Sequence, residues 1–367
     1  MNKVLVDVNY FHFKLNSVSK ILKKAQSAWT YLNFLPNYIE PKAIYRATFN
    51  KKSDKGQIRF TFFKTIISYK LLPALFFHQK IKKFKPDFVL IHGLGYCFNA
   101  VFLRYILPKK VIIVVQAHGY APAPKGLKKL IYIWTEKYID AFLFTGKENA
   151  KVWVDQGIFN SKKIYEVMEG VTTFSNNPNI SRLPKSFLWV GRLNENKDPI
   201  TVVNAFRQFL QIEPMAKLTM IYHTEELLPS IKELMNKDEQ LKTALTLKGK
   251  VAHQDIERIY RLNEFFILGS HAEGSGYALH EAMACGCIPI VTDIASFMFM
   301  VNRGHCALLY RPSDENSCIE ALKKTQDIDI CTYRKSVLNQ VENKLSPNAI
   351  ANDILAMFQD LLEKKQL

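Results

Sequence analysis

The chain has 367 residues, more than one ordinary domain needs, so two or three domains of about 150 residues are expected. Hydrophobic residues make up 48% and charged residues 23% of the sequence, with only 15 Gly and 15 Pro, which excludes disordered, collagen-like and low-complexity chains. The net charge of +17 comes from the N-terminal half of the chain. Residues 1–180 contain 28 Lys and Arg and 10 Asp and Glu, whereas residues 181–367 contain 22 Lys and Arg and 23 Asp and Glu. One half of the protein is therefore expected to face an anionic partner, whether phospholipid, nucleic acid or an acidic substrate.

The cysteines and the apolar segments bear on where in the cell the protein lies. Six cysteines are spread without a Cys-x-x-Cys pair, at positions 97, 285, 287, 306, 318 and 331. Since no secretory leader follows Met1, we expect a reducing compartment, the cytoplasm, and no disulfide or zinc framework. The most apolar stretch, residues 60–79, is interrupted by Lys64, Lys70 and Pro73, and no stretch reaches the roughly 18 apolar residues of a membrane span.

Short buried runs alternate with helical patterns in the first half of the chain. Apolar runs, each followed by a longer periodic segment, lie at residues 3–8, 87–92, 110–117 and 141–145. This alternation predicts βαβ units and a parallel sheet covered on both faces. Residues 63–85 and 125–138 mix Lys with aromatic and aliphatic side chains, which is typical both of interfacial amphipathic helices and of packing helices with a solvated Lys face. Both interpretations stay open.

A connector divides the chain. Residues 172–186 are rich in Ser, Asn and Pro and lack a periodic apolar face. The strand and helix alternation then resumes, with apolar runs at residues 187–191, 217–223, 244–249, 265–270 and 288–293. We therefore predict an α/β protein with an N-terminal Rossmann-like domain over residues 1–175, a C-terminal one over residues 187–345 and a terminal helix within residues 346–367. Because open parallel sheets bind ligands beyond the carboxyl ends of their strands, we expect the chemistry in a cleft between the domains.

The most informative segment is FFILGSHAEGSGYALHEAMACGCIPIVTD, residues 265–293. A buried strand is followed by a Gly-rich turn, residues 273–276, and by a helix that begins near Tyr277. The free backbone N–H groups and positive dipole end of such a helix suit a phosphate or diphosphate. Glu281 lies one turn further along the helix, where a carboxylate can accept two vicinal hydroxyls, such as those of a ribose.

Other polar side chains follow predicted strands. Arg192 and Lys197 come just after the strand at 187–191, and two cations there complement a diphosphate. His118 follows the strand at 110–117, and His92 occupies a similar strand end. For each charged group the alternative is a solvated surface residue; for His118 it is a core histidine bonded to backbone, and His92 stays structural or acceptor-side.

A metal site is not predicted. His271 and His280 flank the acidic motif, but together with Cys285 and Cys287 they lack the ligand spacing of a zinc site.

These segments resemble glycosyltransferase family 4, whose members are retaining enzymes of GT-B fold. Glu273 and Glu281, separated by seven residues and followed by AMACGCIPIVTD, carry the resemblance together with FLWVGRLNENKDPITVVNAF (187–206) and, more weakly, VIIVVQAHGYAP (111–122). The likeness covers most of residues 86–365. The chain departs from the family at two places. It lacks the paired-Gly loop that family members often carry after the first strand, and it lacks the Gly-rich turn that is usual after the second C-domain strand.

The resemblance implies a GT-B fold with two facing Rossmann-like domains and a C-terminal helix that crosses back to the N-terminal one. It implies transfer of a sugar from a nucleotide-diphosphate sugar to a hydroxyl of a glycan or lipid-linked acceptor, with retention and without cofactor or bound metal. The expected setting is cell-envelope polysaccharide or lipopolysaccharide biosynthesis, with the basic N-domain in peripheral contact with the inner face of the cytoplasmic membrane.

Residue roles are carried over onto matching positions only. The catalytic set is His118, Glu273, Arg192 and Lys197. The donor-binding set is Arg192, Lys197, Gly274, Ser275, Gly276, Tyr277, Ala278 and Glu281. In this assignment Glu281 holds the ribose, Glu273 the sugar hydroxyls, and His118 a sugar hydroxyl near the reacting carbon, and no nucleophile is assigned.

Two other classes of function stay open. A nucleotide-sugar epimerase shares the GT-B architecture but needs no acceptor. The basic half would also suit a nucleic-acid-binding module, although no recognised binding motif is present and the paired acidic residues disfavour it.

Overall fold

The computed structural model describes residues 2–65, 74–119 and 122–366. The chain forms two units: Met1–Val171 with Ser346–Leu367 make up the first, and Thr172–Leu345 make up the second. Each unit contains one β-sheet.

The first unit is built on an eight-stranded sheet within the described residues. Its strands are β1 (Lys3–His12), β2 (Ile39–Ala47), β3 (Lys51–Lys55), β4 (Ile58–Lys64), β5 (Phe88–His92), β6 (Ile112–Gln116), β7 (Ala141–Phe144) and β8 (Ile164–Glu166). They lie in the order β3-β4-β2-β1-β5-β6-β7-β8, with every neighbouring pair parallel except β3 and β4. The strand order reverses between β1 and β5: β2, β4 and β3 lie beyond β1, and β6, β7 and β8 lie beyond β5. The carboxyl ends of β1 and β5 therefore lie at a topological switch point.

The first unit's helices connect these strands. They are α1 (Val18–Lys24), α2 (Gln26–Trp29), α3 (Leu75–Lys83), α4 (Cys97–Ile106), α5 (Gly126–Glu136) and α6 (Lys147–Asp155), with 3-10 turns at Thr30–Phe34, Leu94–Tyr96 and Ser161–Lys163. Every residue of β5 and β6 is buried. Because side chains alternate between the faces of a strand, both faces of the sheet must be covered here, as the apolar runs predicted.

One edge of this sheet differs from the prediction. The sequence predicted parallel strands only, but a turn at Gly56, whose φ is +59°, folds β3 back antiparallel to β4. The start of the predicted amphipathic segment at 63–85 is also wrong as a helix, since β4 extends to Lys64 and pairs with strands on both sides. Residues 66–73 of that segment lie outside the described residues, and its remainder forms α3.

The second unit is built on a six-stranded parallel sheet. Its strands are β9 (Leu183–Gly191), β10 (Lys217–Tyr222), β11 (Leu245–Gly249), β12 (Asn263–Leu268), β13 (Ile288–Thr292) and β14 (Leu308–Tyr310), in the order β11-β10-β9-β12-β13-β14. The strand order reverses between β9 and β12: β10 and β11 lie beyond β9, and β13 and β14 lie beyond β12. The loops after β9 and β12 therefore flank a second switch point.

The second unit's helices are α7 (Pro199–Phe209), α8 (Leu228–Lys237), α9 (Glu239–Ala244), α10 (His253–Leu262), α11 (Tyr277–Ala284), α12 (Ala295–Met300), α13 (Glu315–Lys323) and α14 (Ile330–Gln340). Short 3-10 turns lie at Glu195–Lys197, Asn302–Gly304 and Lys324–Gln326, and a π turn at Val341–Leu345.

The predicted connector, residues 172–186, is part of the second unit. Arg182 holds it there: its guanidinium donates to the carbonyl of Asn263 at 2.5 Å and to the carbonyl of Cys285. The connector prediction is wrong for residues 183–186, which begin β9, because Leu183 pairs with Asn263 of β12.

The last helix, α15 (Pro347–Gln366), belongs to the first unit. The ring of Phe358 stacks on that of Phe88 with centroids 4.1 Å apart, and Lys365 Nζ lies 3.0 Å from Asp140 Oδ1. The helix predicted over residues 348–365 is confirmed. No helix among the described residues has the length and apolarity needed to cross a bilayer.

Candidate functional site

The loop after β9 carries Arg192 and Lys197. Asn194 shapes it, since its side chain accepts the backbone N–H of Lys197 at 3.2 Å. Asp198 then adopts a left-handed conformation, with φ +41°, and caps α7 by accepting the N–H of Thr201. This fixed turn places both predicted cations directly beyond the strand end.

The loop after β12 is joined to the loop after β9 by backbone contacts. The N–H of His271 donates to the carbonyl of Asn196 at 2.8 Å, and the Asn196 side chain donates to the carbonyl of Ala272 at 3.0 Å. Gly269 is required for this approach, because a Cβ there would lie 2.8 Å from the carbonyl oxygen of Asp198. The two loops therefore form one rigid platform.

An ion pair lies on this platform. Lys197 Nζ donates to Glu273 Oε1, which also accepts the hydroxyl of Ser270 at 2.7 Å. The Lys197 and Glu273 side chains are only 12% and 13% exposed. The solvated-carboxylate alternative for Glu273 is therefore wrong: Glu273 is held by a cation and a buried hydroxyl.

Arg192 has a different environment. It is exposed, and within the described chain no hydrogen bond or ion pair engages its guanidinium. Its five N–H donors remain available to a ligand.

Helix α11 begins where the sequence predicted, at Tyr277. Its N-cap residue, Gly276, has φ +58° and makes no side-chain cap hydrogen bond. A Cβ on Gly276 would lie 2.6 Å from the Phe297 ring, so both conformation and packing require glycine here. Because the N-cap residue supplies no side-chain acceptor, the start of α11 is of the kind that suits an anion. Ser275 is buried, and Gly274, Tyr277 and Ala278 complete the predicted stretch.

Glu281 lies on α11 and faces α10. Its Oε1 is 3.4 Å from His253 Nε2, and its Oε2 is 3.4 Å from the hydroxyl of Tyr260. Burial raises the pKa of the Glu281 carboxyl, while the nearby His253 and Tyr260 act in the opposite direction. The side chain is 17% exposed, so this carboxylate is not a freely solvated helix-surface group.

His118 belongs to the first unit, two residues after β6, and is part of a polar cluster. Its Nε2 lies 2.8 Å from His92 Nδ1, and its Nδ1 lies 3.3 Å from Glu169 Oε2. His92 Nε2 in turn lies 2.8 Å from Asp7 Oδ2. The alternative of a core histidine bonded to backbone is wrong, because both ring nitrogens face side chains and the side chain is 32% exposed.

Asp7 and Glu169 were not among the predicted residues. Asp7 had a signal, since a charged residue within the apolar run at 3–8 must have a buried partner. Glu169 had none, because it follows the short strand β8, which was not predicted.

The remaining histidines and cysteines of the motif have structural environments. His280 is buried, and burial lowers its pKa to about 4. Burial also raises the pKa of the Cys287 thiol to about 11. In the part of the chain that the structure describes, no three His, Cys, Asp or Glu side chains are grouped to hold a metal ion. The prediction of a metal-independent reaction stays a prediction.

Comparison with known proteins matches the second unit to a protein family. The family model described as glycosyl transferases group 1 matches residues 172–335. This match places the second unit's segment, residues 172–335, with the group 1 glycosyltransferases. Of the predicted residues, Arg192, Lys197, Glu273 and Glu281 lie within the matched segment, whereas His118 lies outside it.

Two of the curated relatives have a nucleotide sugar in their names. The chain is 23% identical over 266 residues to GDP-mannose:cellobiosyl-diphosphopolyprenol alpha-mannosyltransferase of Xanthomonas oryzae, covering 70% of this chain and 69% of the relative. It is 24% identical over 273 residues to UDP-Gal:alpha-D-GlcNAc-diphosphoundecaprenol alpha-1,3-galactosyltransferase of Escherichia coli, covering 69% and 70%. The match to mannosylfructose-phosphate synthase of Agrobacterium fabrum, 28% identical, spans 36% of this chain and only 30% of that protein.

Solved structures confirm the GT-B fold. A glycosyltransferase from Rickettsia africae aligns with a TM-score of 0.70 at 14% identity, over 98% of this chain and 99% of that one. Sucrose-phosphate synthase of Thermosynechococcus elongatus aligns with a TM-score of 0.63 at 15% identity, over 99% and 100%. At these identities the likeness shows the fold alone.

Proposed function

We propose that the chain is a retaining glycosyltransferase that moves a sugar from a nucleotide-diphosphate sugar to a hydroxyl of a glycan or lipid-linked acceptor. One observation carries the proposal: the joined loops after β9 and β12 hold Lys197 and lead directly into α11, whose N-cap residue is a glycine. The names of the two bacterial relatives, which contain GDP-mannose, UDP-Gal and diphosphopolyprenol-type acceptors, favour the same substrate classes.

The leaving group is a nucleoside diphosphate. Negative charge grows on its oxygens as the bond to the sugar carbon breaks, so fixed cations and backbone N–H groups stabilise the transition state more than the ground state. Arg192, Lys197 and the N–H groups at residues 275–278 supply these contacts. A diphosphate offers Lys197 more negative charge than the single carboxylate of Glu273, so the ammonium can be shared with the donor.

Three further side chains bind the donor in this proposal. Glu273 accepts sugar hydroxyls, and its hydrogen bond from Ser270 keeps one oxygen oriented while the other stays available. Glu281 accepts the ribose hydroxyls, and His118 contacts a sugar hydroxyl near the reacting carbon. The reaction as proposed uses no cofactor and no bound metal, because Arg192 and Lys197 supply the compensating charge.

We further propose that the basic first unit makes peripheral contact with an anionic membrane at its cytoplasmic face, in the assembly of cell-envelope polysaccharide or lipopolysaccharide. Three apolar residues of α5 are exposed to solvent: Leu127 by 74%, Leu130 by 61% and Trp134 by 41% of their surface. They lie next to the exposed Lys125 and Lys128. Apolar side chains beside lysines suit a bilayer interface, where the rings and aliphatic chains enter the lipid and the ammonium groups bind phosphates.

A groove of about 490 Å³ lies along the same helix. Its lining is mainly apolar and comes from α4, α5 and the turn before α4, including Leu94, Phe98, Leu127, Ile131 and Tyr132. This groove gives a hydrocarbon chain of a lipid-linked acceptor a place beside the membrane-facing side chains.

Flotation with liposomes tests the membrane contact. The chain should float with vesicles containing phosphatidylglycerol and not with pure phosphatidylcholine, and Leu127→Ser with Leu130→Ser should abolish flotation. The control pair, Ile212→Ser with Met215→Ser, changes two exposed apolar residues of the second unit and should float normally. Flotation that does not depend on anionic lipid would remove this proposal.

Incubation with UDP-, GDP-, ADP- and dTDP-sugars, with and without a diphosphopolyprenol-linked acceptor, tests the reaction. A glycosyltransferase should form product only with acceptor, and nuclear magnetic resonance should show the anomeric configuration of the donor sugar in the product. A rearranged sugar and free nucleotide from donor alone would indicate the epimerase instead.

A further inference from the structure

The polar cluster at the carboxyl ends of the first unit's central strands is a continuous chain of four side chains. Asp7 of β1 contacts His92, the last residue of β5, which contacts His118, beyond β6. His118 faces Glu169, beyond β8, whose Oε2 also accepts the N–H of Gly119 at 2.8 Å. The cluster lies at the switch point between β1 and β5, where an open α/β sheet binds its ligand.

Only the His118 side chain of this cluster is substantially exposed. The side chains of Asp7, His92 and Glu169 are 0%, 4% and 4% exposed, compared with 32% for His118. Such buried polar groups are costly unless they are hydrogen-bonded, so their arrangement needs a reason beyond packing.

The direction of the hydrogen bonds follows from Asp7. Its Oδ2 accepts the hydroxyl of Tyr31 at 2.8 Å, and burial together with the nearby Asp7 raises the pKa of Tyr31 well above its ordinary value, so this hydroxyl keeps its proton. Asp7 Oδ2 accepts from Tyr31, and His92 Nε2 lies 2.8 Å from the same oxygen, where it is placed to donate.

The remaining positions are then fixed. A neutral His92 that donates from Nε2 has a lone pair on Nδ1, so His118 Nε2 must donate across the 2.8 Å contact. A neutral His118 consequently has its lone pair on Nδ1, next to Glu169. There it can accept a hydroxyl proton, or take up a proton and pair with the Glu169 carboxylate.

We propose that Asp7 and His92 are positioning residues that hold His118 in its Nε2–H tautomer and present Nδ1 as the acceptor for a hydroxyl of the bound substrate. The Glu169 carboxylate lies 3.3 Å from that nitrogen and can pair with it only when Nδ1 takes up a proton. The substrate part of this inference rests on the proposed glycosyltransferase function, whereas the tautomer is a property of the protein alone.

Long-range ¹H–¹⁵N correlation spectra of the full chain with ¹⁵N-labelled histidine measure the tautomers directly. At alkaline pH, His92 and His118 should both show Nε2–H and bare Nδ1. Their signals are assigned by loss in His92→Gln and His118→Gln. A wild-type His118 in the Nδ1–H form overturns the proposal.

Asp7→Asn tests the cause. An amide can present either its oxygen or its N–H to His92 while Tyr31 adapts, so His118 should become a mixture of tautomers. The matched control is Asp87→Asn, which changes a carboxylate that accepts the N–H of Val4, and it should leave the His118 signal unchanged. A His118 signal as uniform in Asp7→Asn as in the wild type overturns the proposal.

Kinetics separate this inference from the proposed function. If the wild type transfers sugar, Asp7→Asn should lower kcat by about tenfold or more with little change in the donor KM, as expected when a supporting hydrogen bond is lost. If the wild type is active and Asp7→Asn leaves kcat unchanged, the positioning role is overturned. An inactive wild type with the expected tautomers contradicts the proposed function and leaves the hydrogen-bonded chain standing.

Discussion

Lys197 and Glu273 form a nearly buried ion pair that joins the loop after β9 to the loop after β12. The Glu273 carboxylate has a second donor in Ser270, but Lys197 is its only cation in the part of the chain that the structure describes. The pair has two consequences, one for stability and one for ligand binding.

Lys197→Met should destabilise the second unit. Removing the ammonium leaves a poorly solvated carboxylate, which costs roughly 1–3 kcal/mol. Urea unfolding measures this loss, and adding Glu273→Gln should recover part of it because the unpaired charge disappears. The control, Lys237→Met, breaks a solvent-exposed pair with Glu233 and should leave the midpoint unchanged. Equal losses for Lys197→Met and Lys237→Met would contradict the buried pair.

Arg192→Ala should separate binding from stability. Because the exposed guanidinium has no partner among the described residues, its loss should leave the unfolding midpoint unchanged. Affinity for a nucleoside diphosphate should fall about tenfold or more, since charge-assisted hydrogen bonds contribute about 1.5–3 kcal/mol. Isothermal titration measures the affinity. Arg207→Ala, on α7, is the control and should bind normally; a loss equal to that of Arg192→Ala would indicate a nonspecific charge effect.

Glu281→Gln should stabilise the free protein and weaken donor binding. Burial raises the pKa of Glu281, so the folded state holds this proton more tightly than the unfolded state does. Stability is therefore lost as the pH rises from the ordinary value of 4.5 through the raised pKa, and at pH 7.5 the ionised group costs free energy. Urea unfolding at pH 7.5 should show a midpoint at or above that of the wild type.

The same variant should bind nucleoside diphosphates more weakly, because an amide accepts fewer hydroxyl hydrogen bonds than a carboxylate. Glu264→Gln, which alters a carboxylate that accepts the N–H of Lys185, is the control and should change neither midpoint nor affinity. A destabilised Glu281→Gln protein with unchanged affinity would contradict both the pKa argument and the ribose role.

Acid should destabilise each unit through one buried histidine. Burial lowers the pKa of His78 and of His280 to about 4. The unfolded chain takes up these protons near pH 6.5 and the folded chain only near pH 4, so stability falls as the pH drops through this interval, by up to about 3 kcal/mol per histidine. Urea unfolding at pH 7.5, 5.5 and 4.5 measures the slope, and His280→Leu should flatten it for the second unit. An unchanged slope in that variant would rule out His280 as its cause.

The second-unit residues could be predicted because their signals are local. Arg192 and Lys197 lie within six residues of a strand end, and Glu273, Gly276 and Glu281 lie on one turn and the helix after it. Strand ends, glycine turns and helix starts are each visible in a short window of sequence. What the sequence did not show is that Lys197 and Glu273 pair, because their loops meet only after the sheet has formed.

The first-unit cluster could not be predicted for a related reason. Asp7 and His92 are 85 residues apart, and His92 and His118 are 26 apart, so only the strand order brings them together. The strands β2, β3 and β4, which lie between β1 and β5 in the sequence, were not predicted, and the last two residues of β4 fell in the segment interpreted as helical. The one feature of the sequence that pointed to this cluster was Asp7, a charged residue within an apolar run.

A crystal structure of the protein with a non-reactive UDP- or GDP-sugar tests the proposed donor site most directly. The diphosphate oxygens should lie within hydrogen-bond distance of Lys197 Nζ and of the first N–H groups of α11, with Arg192 turned toward them and the ribose hydroxyls on Glu281. A diphosphate bound away from the loops after β9 and β12 would contradict the proposed site and, with it, the proposed chemistry.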